Sequence, residues 1–257
     1  MNFFSIFKRN FIYLFKKKIN IDEINLTNNS LDELFYYFGS DKANKISPKH
    51  QATHHNNKFG HGFTKFYENH LNKLKEKKIR ILEIGSLKGA SAAAFAKYFP
   101  QAEIYCIDIN LRNFVYSSDK IKVFGMNSSN PKMMKNFLTK IKFSQFKKGF
   151  DVIIDDGSHI LSDQLKALNF FYRNLSESGF YIIEDYKFPN YFKHLNDVND
   201  FTINEIINKI NKKETFNSML VNNEVIKDLL NSTKKIYQYR GNSSESDIVF
   251  FEKKTIS

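Results

Sequence analysis

Ile79-Arg80-Ile81-Leu82-Glu83-Ile84-Gly85-Ser86-Leu87-Lys88-Gly89-Ala90-Ser91 decides how the rest of this chain is read. Residues 79–84 are a short, nearly unbroken apolar run closed by Gly85, which reads as a buried strand. Glycines at 85 and 89 let the backbone turn sharply and approach a ligand, and the helix that follows over 90–98 turns its N-terminus to the same place. Outward from this unit the pattern repeats. Strands are predicted over 103–107, 121–124, 150–154 and 180–183, with helices over 90–98, 133–141 and 163–175 between them. After helical stretches around 203–210 and 225–230, segments 235–240 and 248–252 form a hairpin across the turn region 241–247. Strand–helix alternation implies an α/β, Rossmann-like doubly wound sheet, its parallel strands covered on both faces by helices. The closing pair adds a C-terminal antiparallel hairpin, and a helical N-terminal extension precedes the sheet.

Upstream, residues 1–20 hold five basic residues and no acidic ones, with Phe3, Phe7, Phe11 and Phe15 spaced four apart. On a helix that spacing makes one apolar stripe. An anionic bilayer, the body of the protein and a second subunit are the three surfaces it suits. Residues 21–77 read as a helical lead-in: a helix over 31–38 after Ser30, the polar turn Gly39-Ser40-Asp41-Lys42, a loop with His50, His54, His55 and His61, and helical periodicity again over 63–77. The loop reads as a lid with incidental histidines, and a four-histidine metal site is the rival reading. The expected organisation is therefore 1–20, 21–77 and a ligand-binding catalytic domain over 78–257.

Composition narrows the class. The 257 residues carry a net charge of +12 and are 42% hydrophobic and 16% aromatic, with 10 Gly and 4 Pro. That much apolar surface excludes a disordered or collagen-like chain. Cys106 is the single cysteine, so neither an intramolecular disulfide nor a cysteine-based zinc cluster can form, and a reducing compartment is expected. No run approaches the roughly 18 apolar residues of a membrane-spanning helix. A cytoplasmic protein is expected, with peripheral contact at the inner face of a membrane as the alternative. Lys, Asn, Ile and Phe are enriched together, as AT-rich coding imposes, so the charge reads first as solvated lysine and second as affinity for an anionic partner.

Ligands of a doubly wound sheet collect beyond the carboxyl ends of its strands. The second strand leads into Asp108, about 20 residues past the glycine turn and placed to accept hydrogen bonds from ribose hydroxyls. The spacing Gly85-x-x-x-Gly89 lacks a full pyrophosphate cradle. Glu83 would also repel a pyrophosphate but suits a cationic ligand, which favours a methionine-type nucleoside over NAD. The fourth strand leads into Asp155-Asp156-Gly157-Ser158-His159 and the fifth into Glu184-Asp185-Tyr186. Asp156, Glu184 and Asp185 on one rim would repel one another unless a cation sits between them, and all-oxygen ligation points to Mg²⁺. His159, three residues beyond Asp156, is placed as general base for a metal-held hydroxyl. The bland alternative makes these acids caps and surface charges.

Asp155-Asp156-Gly157-Ser158-His159 followed by Ile183-Glu184-Asp185 resembles the metal-dependent sugar O-methyltransferases of the macrocin and mycinamicin type, class I S-adenosylmethionine-dependent enzymes. Leu82-Glu83-Ile84-Gly85 is similar to the start of their cofactor motif, and Gly39-Ser40-Asp41-Lys42 to their Gly-Thr-Asp-Lys turn. The resemblance covers about residues 36–187 and the final hairpin. It implies Asp156, Glu184 and Asp185 as Mg²⁺ ligands and His159 as catalytic base. S-adenosyl-L-methionine would be held by Glu83, Gly85, Ser86, Gly89 and Asp108, with Asn127, Ser128 and Asp155 completing the cofactor-facing set. The chain departs from the family's Gly-Asp-Gln-Ser after the third strand, where it has Gly125-Met126-Asn127-Ser128-Ser129, so the adenine contacts do not carry over directly.

The implied activity is Mg-assisted O-methylation of a sugar hydroxyl. The acceptor is a glycan on the way to a polysaccharide, a nucleotide-sugar or a glycosylated metabolite, and a homo-oligomer is compatible. The rival readings are a nucleic-acid methyltransferase, favoured only by charge, a membrane-associated scaffold of a glycan-assembly complex, and a dehydrogenase.

Overall fold

The computed structural model describes residues 3–50, 59–142 and 149–255, with backbone alone at 3–5, 7, 8 and 142. His54 and His55, and the side chains of Phe3 and Phe7, lie outside the described residues. The chain forms two compact units, Met1–Met126 with Arg240–Ser246, and Asn127–Tyr239 with Asp247–Ser257.

In the first unit the order is α1 (Phe3–Phe15), β1 (Ile19–Asn20), α2 (Leu31–Phe38), α3 (Thr64–Leu71), β2 (Arg80–Ile84), α4 (Ala90–Tyr98), β3 (Glu103–Asp108), β4 (Tyr116–Ser117) and β5 (Ile121–Gly125). β2 pairs in parallel with β3 from Arg80↔Glu103 to Ile84↔Ile107, and β3 with β5 from Ile104↔Ile121 to Asp108↔Gly125. The carboxyl ends of all three strands therefore share one edge. All five residues of β2 are buried, the signature of a parallel strand covered on both faces. Helix α4 follows with Ala90, Ala92, Ala93, Ala94 and Ala96 all buried, small side chains that let the helix lie close to its neighbours. Phe35 of α2 and Phe95 of α4 meet edge to face at 5.2 Å, and Tyr67 of α3 closes the cluster at 5.5 Å from Phe95. Ser30 and Glu33 form a capping box that starts α2, and Gly39, at φ +85°, ends it.

The predicted helix over 63–77 is shorter than expected: α3 stops at Leu71 and a tight turn, Asn72–Leu74, follows. Two-residue strands β1 and β4, paired as Ile19↔Tyr116, were not expected from the sequence.

In the second unit the order is α5 (Pro131–Lys142), β6 (Phe150–Asp155), α6 (Leu161–Phe171), β7 (Leu175–Glu184), α7 (Phe188–Tyr191), α8 (Ile203–Lys212), α9 (Asn223–Ser232), β8 (Thr233–Arg240) and β9 (Asp247–Lys253). β6 and β7 are parallel, β7 and β9 antiparallel from Phe180↔Glu252 to Glu184↔Ile248, and β8 lies on the far side of β9. The sheet is thus mixed, and the closing hairpin is formed as expected.

One boundary is corrected. The helix predicted over 163–175 ends at Phe171, and Leu175 instead opens a ten-residue β7 by pairing with Phe150. The polar run Ser176-Glu177-Ser178-Gly179 hides this strand from a hydrophobicity reading. It holds a register shift, with Ser178 at φ +57°. Among the described residues no helix is long and apolar enough to cross a membrane.

Candidate active site

In the second unit, β6 ends at Asp155 and the chain turns through Asp156, Gly157, Ser158 and His159 before α6 begins at Leu161. β7 ends at Glu184, and Asp185 follows at once. His159 and Asp185 both take left-handed backbone, φ +57° and +49°, although neither is glycine. These turns aim their side chains at one spot: donor atoms of Asp156, His159 and Asp185 all lie within 4.8 Å of one another. His159 Nε2 is 3.9 Å from Asp156 Oδ1, and both side chains are about one-fifth exposed while Asp185 is buried.

Glu184, also buried, is not a member of this converging group. Successive strand residues point to opposite faces, so Glu184 and Asp185 diverge unless the backbone between them bends. The structure thus brings together two of the three carboxylates expected as ligands, with the histidine expected as base beside them.

Asp155 is buried among these acids. Burial pushes its carboxyl up to about 8; a hydrogen bond from Gly157 N opposes this, and the nearby Asp156 and Asp163 add to it. Its Oδ2 is buried without a hydrogen-bond partner. The turn is pinned from outside: Ser158 Oγ donates to Asp163 Oδ2 at 2.6 Å, and Ser129 Oγ donates to Asp163 Oδ1. Asn127 Oδ1 in turn accepts from Ser129 N at 2.9 Å. Asp163 therefore ties the Asn127-Ser128-Ser129 loop to the His159 turn, a role the sequence reading missed. Its one sequence signal is an acid in the first turn of a helix, five residues after Ser158.

Phe188 opens α7 and stands 5.1 Å, centroid to centroid, from the His159 ring. That short helix is anchored by Asp247, which accepts from Lys187 Nζ at 3.1 Å and from Tyr191 OH at 2.5 Å. Lys187, Tyr191 and Asp247 were not singled out in the sequence, where only their spacing of about sixty residues is visible.

The glycine turn belongs to the first unit. Gly85 N donates to Ile107 O and Gly89 N to Ser86 O, with both glycines at positive φ, +87° and +76°. Phe114 lies against Gly89 so closely that a Cβ there would stand 2.4 Å from its Cζ. Glu83 is fully buried and accepts a short hydrogen bond from Ser91 Oγ, while Ser86 Oγ donates to Glu83 O at 3.3 Å. Asp108 accepts Leu87 N at 2.8 Å on Oδ2 and Asn110 N at 2.7 Å on Oδ1. The acid at the end of β3 is thus held against the glycine turn by main-chain donors. Glu83, Gly85, Ser86, Gly89 and Asp108 form one cluster here. Asn127, Ser128 and Asp155 belong to the second unit.

The histidine-rich segment shows no shared centre among the described residues. His50 Nδ1 is 3.2 Å from Gly39 O, whereas His61 Nδ1 is 2.7 Å from Ser246 Oγ and its Nε2 is 3.9 Å from Asp41.

No family model matches the chain. Among curated proteins it is 30% identical over 143 residues to 8-demethyl-8-(2-methoxy-alpha-L-rhamnosyl)-tetracenomycin-C 3'-O-methyltransferase of Streptomyces olivaceus, covering 52% of this chain and 35% of that one. It is 29% identical over 137 residues to mycinamicin VI 2''-O-methyltransferase of Micromonospora griseorubida, covering 50% and 33%. The chain thus matches about a third of the length of each. The MycE methyltransferase from the mycinamycin pathway, solved in complex with Mg, SAH and mycinamycin VI, superposes with a TM-score of 0.64 at 19% identity, over 89% of this chain and 55% of that one. The fold is that of a class I methyltransferase, and its curated relatives are sugar O-methyltransferases of the kind the motifs resemble.

Proposed function

We propose that this chain is an S-adenosylmethionine-dependent, Mg-assisted O-methyltransferase that acts on a sugar hydroxyl. One observation carries the reading: two strand-end turns with strained backbone converge Asp156, His159 and Asp185 on a single point. The carboxylates of Asp156 and Asp185 supply oxygen donors for a hard divalent ion, and the His159 imidazole, within 4.8 Å of both, stands beside them as a base rather than a ligand. The orphaned, buried Asp155 Oδ2 beside them fits a site organised for positive charge. In this reading Asp156 and Asp185 hold Mg²⁺ and the adjoining Glu184 completes its acidic surroundings. Within the first unit, Glu83, Gly85, Ser86, Gly89 and Asp108 hold the nucleoside cofactor.

When bound, the metal supplies Lewis-acid activation of the acceptor hydroxyl and S-adenosylmethionine supplies the methyl group. The protein's part is position and proton. Asp156 and Asp185 set the direction from which the acceptor oxygen approaches, and His159 takes the hydroxyl proton as the oxygen–carbon bond forms. The Phe188 ring stands 5.1 Å from the imidazole and bounds it on that side. The relatives' printed names concern sugars of antibiotic glycosides. For this chain the acceptor proposed is a sugar hydroxyl of a glycan or glycosylated metabolite in the cytoplasm.

Calorimetric titration of S-adenosylhomocysteine into the purified protein tests the cofactor class. Binding in the micromolar range, about −8 kcal/mol, supports the reading. No heat with or without Mg²⁺ would remove it.

A further inference from the structure

The spacing of Phe3, Phe7, Phe11 and Phe15 predicts one apolar stripe on α1, and the structure docks that helix by a different face. Ile6 is 4% exposed, Asn10 Nδ2 donates to Gly125 O at 2.8 Å, Tyr13 meets Phe114 edge-on at 6.0 Å, and Lys16 Nζ donates to Arg112 O at 2.9 Å. Positions 6, 10, 13 and 16 follow the three- and four-residue steps of one helix side. The helix is therefore already seated on its own unit without Phe11, Ile12, Leu14 or Phe15.

Those groups face outward. Phe11 is 53% exposed, Ile12 41%, Leu14 68% and Phe15 77%, and Ile19 just beyond the helix is 50% exposed. Five of the twelve large hydrophobic residues exposed among the described residues thus fall within nine positions. Phe11 and Phe15 touch each other at 5.0 Å, so the patch is contiguous. Lys16, Lys17 and Lys18 follow immediately, and residues 1–20 contain no acid.

From these observations we propose that the outward face of α1 rests on an anionic lipid bilayer. Apolar rings at the acyl boundary with lysines reaching the phosphates is the arrangement an interfacial helix adopts. Charge decides against a second copy as the occupant. Self-association would bring two sets of five cations together with no acid between them, whereas anionic headgroups neutralise them. The inference does not depend on the methyl-transfer reading.

Co-sedimentation of the full chain with vesicles of phosphatidylcholine alone, and of phosphatidylcholine with phosphatidylglycerol, provides the test. The chain is expected to pellet with the anionic vesicles at low salt and to stay in solution with the neutral ones. Phe11→Ser/Phe15→Ser, and separately Lys17→Glu/Lys18→Glu, should each weaken that binding about tenfold or more. Phe11, Phe15 and Lys17 are exposed, and among the described residues Lys18 Nζ makes only a cation–π contact at 4.2 Å with Tyr13, so circular dichroism of both variants should match the parent. The charge pair keeps the test open if the serine pair folds poorly. Absence of binding to anionic vesicles would overturn the proposal, as would equal binding by parent and charge pair. A concentration-dependent dimer dispersed by the serine pair, without vesicle binding, would assign the face to a second copy instead.

Discussion

His159 and Asp185 keep left-handed backbone at φ +57° and +49°, where a non-glycine residue costs on the order of 1–2 kcal/mol. Both residues belong to the one group of donors that converges among the described residues, so the strain is spent on aim. If His159 is the base, His159→Ala should lower the rate of methyl transfer by about 100-fold or more. Affinity for S-adenosylhomocysteine should stay nearly unchanged, because the residues proposed to hold it are fixed by their own hydrogen bonds, as Asp108 is by Leu87 N and Asn110 N. Comparing single-turnover rate with calorimetric affinity checks this; full activity in the variant would remove His159 from the chemistry. The identities of these residues were legible in the chain, since each follows a strand end. Their aim was not. Glu184 and Asp185 are neighbours in sequence and look equivalent there, yet only Asp185 joins the converging group.

At the level of elements, the turn from β2 into α4 shows how tightly one glycine is specified. Gly89 sits at φ +76° with the Phe114 ring where its Cβ would be. Gly89→Ala adds a left-handed penalty to an overpacking clash, about 2–4 kcal/mol together. This should appear as a fall in Tm of roughly 4–15 °C in thermal unfolding. Phe114→Leu in the same chain should recover part of that loss; if the double variant is no more stable than the single, the clash is not the cause. The glycine turn could be read from sequence because a buried run stops at it. The start of β7 could not: Leu175 follows a helical pattern without a break, and its pairing with Phe150 is a contact between distant residues that no local pattern records.

For the molecule as a whole, metal binding and stability are linked. A ligand that binds only the folded chain stabilises it by RT ln(1 + [L]/Kd), about 2.7 kcal/mol at a hundredfold excess over Kd. Mg²⁺ added to the metal-stripped protein should therefore raise Tm by several degrees, and Asp185→Asn should abolish most of that rise. A Tm indifferent to Mg²⁺ in the parent would argue against the donor set as a metal centre. The fold class was legible throughout because strand–helix alternation is a property of the entire chain. The docking of α1 was not: Phe11 and Phe15 belong to the stronger sequence pattern yet stand exposed, while Ile6, Asn10 and Tyr13 make contacts.

The chain contains 13 tyrosines and no tryptophan. Placed beside the His159 ring, Phe188 is thus an address at which a single indole would be spectroscopically alone. A Phe188→Trp chain would report on that imidazole by its own emission, dimming when the ring takes up a proton. Acceptor arrival and proton transfer could then be followed in time without a label.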